Sequence, residues 1–190
     1  MRSSLLFAMV VMVLVSWLCP AVHAGDAAGR PWSVGYAEAE ITPAPRQVQM
    51  CGFGRERYAE GTLAPLLTQV VALRDREGRT GLLITADILD FDRVMVEAIR
   101  RAVTRKHDIP AENVMLSASH THWGPAVRFC MSFGAGAPNV WYMGFMEDKI
   151  LAGVDRALES LSPATVEYGS NACFGTRYSR HDTAGRQRNA

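Results

Sequence analysis

Two short β-rich runs, "LLITA" (Leu82–Ala86) and "VMLSA" (Val114–Ala118), flank one amphipathic stretch, and this arrangement constrains the fold more than any other feature. The intervening "DFDRVMVEAIRRAVTRKHDIP" offers Asp90 or Asp92 as an N-cap and repeats Val94, Met95, Ala98, Ile99, Ala102 and Val103 at helical spacing. Arg101, Arg105 and Lys106 gather towards its end, where they complement the helix dipole, and Pro110 forbids continuation. A β-α-β unit follows. Its two strands should lie parallel, because a helical crossover returns the chain in the same direction, and the crossover should be right-handed.

Other strands add to this unit. "WSVGYAEAEITP" mixes aromatic and β-branched residues up to Pro43 and reads as a first strand. Leu66–Leu73 and Leu82–Ala86 flank the polar "RDREGR" and read as a hairpin. Downstream, Met146, Ile150, Val154, Ala157, Leu158 and Leu161 form one helical stripe, and "ATVEYGS" then alternates like a strand, which suggests a second α-β step. The fold class is α/β: a mixed β-sheet with a hairpin and β-α-β units, with helices packed on the sheet. Gly52 and Gly54 in "MCGFGRERYAEG" mark a turn where the backbone can approach another group closely.

Residues 1–24 are set aside from the fold. Arg2, the apolar run Leu5–Leu18, Pro20 and the small residues Val22 and Ala24 have the grammar of a secretory signal peptide cut after Ala24. The run is shorter than the ~20 residues a spanning helix needs. Residues 25–33 then read as a linker and 34–190 as one domain, in a protein secreted or periplasmic after cleavage. Setting the leader aside removes Arg2 and no acidic residue, so the chain's 20 Lys and Arg become 19, against 19 Asp and Glu. Nothing in that balance argues for a nucleic-acid partner or a polybasic membrane patch. Cys51, Cys130 and Cys173 remain, an odd number that cannot pair completely within one chain, at spacings that match no zinc knuckle.

Chemistry concentrates in "LSASHTHWGP". In an open α/β sheet, ligands gather beyond the carboxyl ends of parallel strands, and both Asp87 and His120 stand at such ends. Were the strand to persist to Thr121, His120 and His122 would project to one side. Such a pair can offer two nitrogen ligands to zinc. It can also divide the work, one histidine on metal and one on substrate, or simply hydrogen-bond within a turn ended by Gly124 and Pro125. Asp87 suits capping, hydrogen bonding or support of a histidine. His107, at a basic helix end, and His181, in a polar tail, say less. There is no Gly-x-Ser-x-Gly elbow, His-Glu-x-x-His helix or phosphate-binding Gly-x-x-x-x-Gly-Lys loop.

Taken in order, "VGYAEAEITP", "MCGFGRERYAEG", "LLITADILDF" and "SASHTHWGP" resemble the N-terminal part of the catalytic domain of the neutral/alkaline, non-lysosomal ceramidases. The resemblance runs from about Val34 to Pro125 and more loosely to the end. The family's Thr-His-Thr-His-Ser-Gly-Pro reads Ser-His-Thr-His-Trp-Gly-Pro here, with Trp123 in place of the small Ser. Further on, Phe174, Arg177 and Tyr178 match a family Phe-Asn-Arg-Arg-Tyr, while Gly175 and Thr176 depart from it.

The resemblance implies a secreted zinc amidohydrolase that splits the N-acyl bond of ceramide or a related lipid into fatty acid and sphingoid base. It implies Zn2+ as cofactor with His120 as its ligand, His122 beside the reacting amide, and Arg177 as carrier of the family's active-site arginine. The implied partner is a ceramide-like lipid, with scope for peripheral membrane contact; no protein partner is implied. The family's other zinc ligands, a later His, a Glu and a Tyr, belong to segments this chain does not contain. The chain is therefore expected to be incomplete relative to the family domain, carrying part of the site and inactive alone. The alternative is a non-catalytic remnant or lipid-binding module of the same fold.

Overall fold

The computed structural model describes residues 31–52, 57–128 and 136–169. The described residues up to 165 belong to one compact unit and 166–169 to a second. The expected leader, Cys130, Cys173, His181 and Arg177 lie outside the described residues.

Among the described residues there are five strands: β1 (Trp32–Glu40), β2 (Leu67–Arg74), β3 (Thr80–Ala86), β4 (Val114–Ala118) and β5 (Ser162–Ala164). Two helices, α1 (Arg93–His107) and α2 (Val140–Glu159), accompany them. The sheet order is β4-β3-β2-β1-β5. The expected hairpin forms, with Val70 opposite Ile84 and Ala72 opposite Leu82. β3 and β4 run parallel, Ile84 beside Leu116, on either side of α1 in sequence. The sheet is mixed and the class α/β, as the sequence patterns require.

Local chemistry sets the helix limits. The Asp92 carboxylate accepts the Val94 N–H at 2.8 Å and caps α1, while Asp108 ends it in the left-handed region at φ 55°. Met95, Ile99 and Val103 are buried, and Val94 is exposed, so the apolar stripe is narrower than the spacing alone suggests. α2 begins four residues before the expected "GFMEDK" run because the Asn139 side chain accepts the Tyr142 N–H at 3.0 Å. It buries Tyr142, Met146, Ile150, Gly153, Val154 and Ala157.

The core is the meeting of these helix stripes with one face of the sheet. Ala37, Val70, Ala72, Leu82, Ile84, Ala86 and Val114 join the helical residues in a single buried cluster. Each large apolar side chain removed from water there contributes ~1.5–3 kcal/mol. The Tyr142 hydroxyl donates to the Ile41 carbonyl and so ties α2 to the end of β1; burial pushes its pKa well above the ordinary phenol value. On the opposite face Tyr36 donates to Glu38 at 2.7 Å and accepts from Gln69 at 3.0 Å.

The last strand differs from expectation. β5 is the three-residue Ser162–Ala164, antiparallel to β1, and residues 165–169 carry no strand. Ala164 pairs with Trp32, the first residue of β1, so the ladder stops where its partner begins. Pro163 is tolerated because the position is at the sheet edge.

Two predictions arise from this packing. A Cβ at Gly35 would lie 1.8 Å from the Ala157 carbonyl oxygen, so α2 approaches β1 as closely as it does only because Gly35 has no side chain. Gly35→Ala should cost at least the ~1–3 kcal/mol of an overpacked core, measured by urea unfolding; an unchanged midpoint would contradict the contact. Asp155 on α2 accepts from Lys106 at 2.6 Å and pairs with His107 Nε2 at 2.9 Å, joining the helices. The Lys106 hydrogen bond, aided by His107 and opposed by partial burial, holds the Asp155 carboxyl below its ordinary value. Its stabilisation is complete above the unfolded carboxylate value and is lost as pH falls through the lower folded value. Asp155→Asn should therefore lower stability at neutral pH and converge with the wild type in acid; a constant difference across the acid range would refute the linkage.

Candidate functional site

Parallel pairing of β3 and β4 sets the loops that follow them side by side. The Ser119 N–H donates to the Ala86 carbonyl at 3.0 Å, and β4 ends there, before the histidines. The strand does not persist to Thr121. His120 instead takes a left-handed conformation, φ 60°, uncommon for a residue with a Cβ. The reversal still brings the two imidazoles together, edge to face, with ring centroids 5.1 Å apart. His120 is exposed and His122 half-buried.

Each ring is held differently. His120 Nδ1 lies 2.9 Å from the Leu89 carbonyl in the loop after β3. A carbonyl can only accept, so Nδ1 carries the proton, and in the neutral ring Nε2 keeps its lone pair. His122 packs on the loop that carries Gly52: a Cβ there would lie 2.7 Å from His122 Nδ1, and Gly52 has φ 90°. The close approach marked by this glycine in the sequence is thus to an imidazole. That loop is zipped onto the histidine turn by Cys51 N–H to the Gly124 carbonyl at 2.9 Å and Ala126 N–H to the Gln49 carbonyl at 2.8 Å.

Arg57 completes the clamp. Its guanidinium donates to the Cys51 carbonyl at 3.2 Å and to the His122 carbonyl at 3.0 Å, and lies 5.1 Å over the Trp123 ring. Nothing in the sequence singled it out, because it acts through backbone carbonyls that carry no residue signature. The Asp87 carboxylate accepts the Leu67 N–H at 3.0 Å, the hydrogen-bonding role expected of it. His107 serves the α1–α2 contact and Cys51 is buried.

Beside the turn opens a cleft of about 380 Å3. Its walls are the segments 42–44 and 61–66, with Val48, Met50 and Ala59, and it reaches Thr121, Trp123, Gly124 and Pro125. The first two segments are joined by the Ile41 N–H to Leu66 carbonyl bond and by the Leu66 N–H to Thr42 hydroxyl bond, 2.8 and 2.9 Å. Among the described residues no three His, Cys, Asp or Glu side chains come together as a metal-binding group.

Since Gly52 is required both by its backbone conformation and by contact with His122, Gly52→Ala should destabilise the chain by ~1–3 kcal/mol. It should also move the His122 ring resonances more than those of His120. Equal, small shifts at both rings would show that Gly52 does not seat His122.

Comparison with known proteins gives the arrangement its relatives. No family model matches the chain. It is 28% identical over 166 residues to the neutral ceramidase of Mycobacterium tuberculosis (strain H37Rv), a match covering 80% of this chain and 25% of that protein. The chain thus spans about a quarter of the length of this relative. Its structure matches the crystal structure of neutral ceramidase from Pseudomonas aeruginosa with a TM-score of 0.64 and 22% identity, over 70% of this chain and 22% of that one. A ceramidase complexed with C2 matches with the same TM-score, identity and coverage. The sequence match over most of its length and the structural match together support a partial relative of the neutral ceramidase family.

Proposed function

We propose that the chain carries part of a zinc-dependent amidohydrolase site of the neutral ceramidase type, acting on the N-acyl amide of ceramide or a related lipid after export and removal of residues 1–24. The observation that carries this reading is the seating of His120. At the carboxyl end of a parallel strand, its Nδ1–H is committed to the Leu89 carbonyl and its Nε2 lone pair is left for a metal.

The donor set fits zinc in part. His120 is disposed as a ligand, and the described residues supply no trio of the kind a catalytic zinc requires. Zinc at such a site would acidify a bound water and polarise the amide carbonyl. The chain's own residues have separate tasks in this reading. Gly52 and Arg57 hold the His122 backbone and ring in place, and His122 is the group beside the reacting amide, able to take up or release a proton there. Arg177 is carried as a substrate-positioning residue on the resemblance alone.

A second reading, a lipid-binding module without catalysis, is favoured by the apolar cleft and the incomplete donor set. Metal analysis and turnover separate the two. The purified chain is expected to bind zinc weakly, to hydrolyse no ceramide, and to lose its residual zinc on dialysis far more readily after His120→Ala than after His122→Ala. Equal metal content in the wild type and His120→Ala would remove His120 as ligand. Tight stoichiometric zinc, with fatty-acid release abolished by His120→Ala, would show that the chain holds a complete site.

A further inference from the structure

Two apolar side chains stand exposed at the rim of the cleft. Leu63 is fully exposed and Trp123 is 67% exposed, yet both line the same cavity. Its deeper wall is apolar and well packed, with Val48 at 5% and Met50 at 8% exposure, and among the described residues no Lys, Arg, Asp or Glu lines it. A cavity of about 380 Å3 lies near the small end of ligand pockets, enough for one slender apolar group. Trp123 is also tied to the histidine turn, because the guanidinium that stacks on its ring is the one that donates to the His122 carbonyl. Anything that displaces the indole therefore pulls on the backbone of His122.

We propose that this cleft is the subsite for a single alkyl chain, and that Trp123 is its specificity-determining residue, fixing where the chain enters relative to His122. The inference deepens the amidohydrolase reading and rests on it for identifying the alkyl chain as part of a lipid amide. The cleft walls contribute the apolar surface. Arg57 fixes the indole at the mouth, and Leu63 covers the outer part of the chain.

The test is displacement of the fluorescent fatty acid cis-parinarate from the purified chain by saturated fatty acids from octanoate to palmitate, each below its micelle concentration. Affinity should rise about fourfold per added methylene and level off once the cleft is full. Leu63→Ser and Trp123→Ala should each weaken palmitate about tenfold or more and leave octanoate nearly unchanged; both side chains are exposed, and circular dichroism checks that the variants fold. Val94→Ser, exposed on α1 and outside the cleft lining, should bind like the wild type. An absence of chain-length dependence, palmitate binding unaffected by both variants, or self-association abolished by Trp123→Ala without fatty-acid binding would each overturn the subsite. Should chain-length dependence stand while His120→Ala retains zinc like the wild type, the amidohydrolase reading falls and the subsite remains. The converse pair of results removes the subsite alone.

Discussion

Parallel pairing of β3 with β4 is the constraint on which the site depends. A hairpin would send β4 away from the end of β3; the α1 crossover returns it in the same direction, so Ala86 and Ala118 finish side by side. Only then can the Ser119 N–H reach the Ala86 carbonyl and the His120 ring reach the Leu89 carbonyl. The buried stripe of Met95, Ile99 and Val103 that holds α1 on the sheet therefore supports the histidines through backbone geometry, without touching them.

A second set of constraints converges on the same turn from the loop after β1. Gly52 presses its backbone against His122, Cys51 and Gln49 pair with Gly124 and Ala126, and Arg57 closes the contact across both carbonyls. His120 pays a conformational cost at φ 60°, of the order of 1–3 kcal/mol for a strained residue, and it is this reversal that turns its ring towards His122. A strand continuing through Thr121 would have aligned the rings by alternation instead.

What was legible in the sequence follows from the range of the interaction concerned. The hairpin, α1 and the parallel β3–β4 pair were readable because periodicity, capping by Asp92 and termination at Pro110 are local. The short β5 was not, since its length is set by where β1 begins, more than a hundred residues earlier in the chain. The histidine pair was legible as a pair, whereas its geometry was not, because a left-handed His120 leaves no pattern in composition. Arg57 and the cleft escaped for a related reason: both depend on segments distant in sequence, brought together by contacts such as Ile41 with Leu66 and Met50 with Pro125.

The fold presents His120 with Nδ1 protonated and Nε2 available. Long-range nitrogen–proton correlation spectra of the neutral imidazoles test it directly. The Nδ1–H tautomer is expected for His120, in the wild type without added metal. A neutral His120 carrying its proton on Nε2 would contradict the Leu89 hydrogen bond and, with it, the disposition of this residue as a ligand.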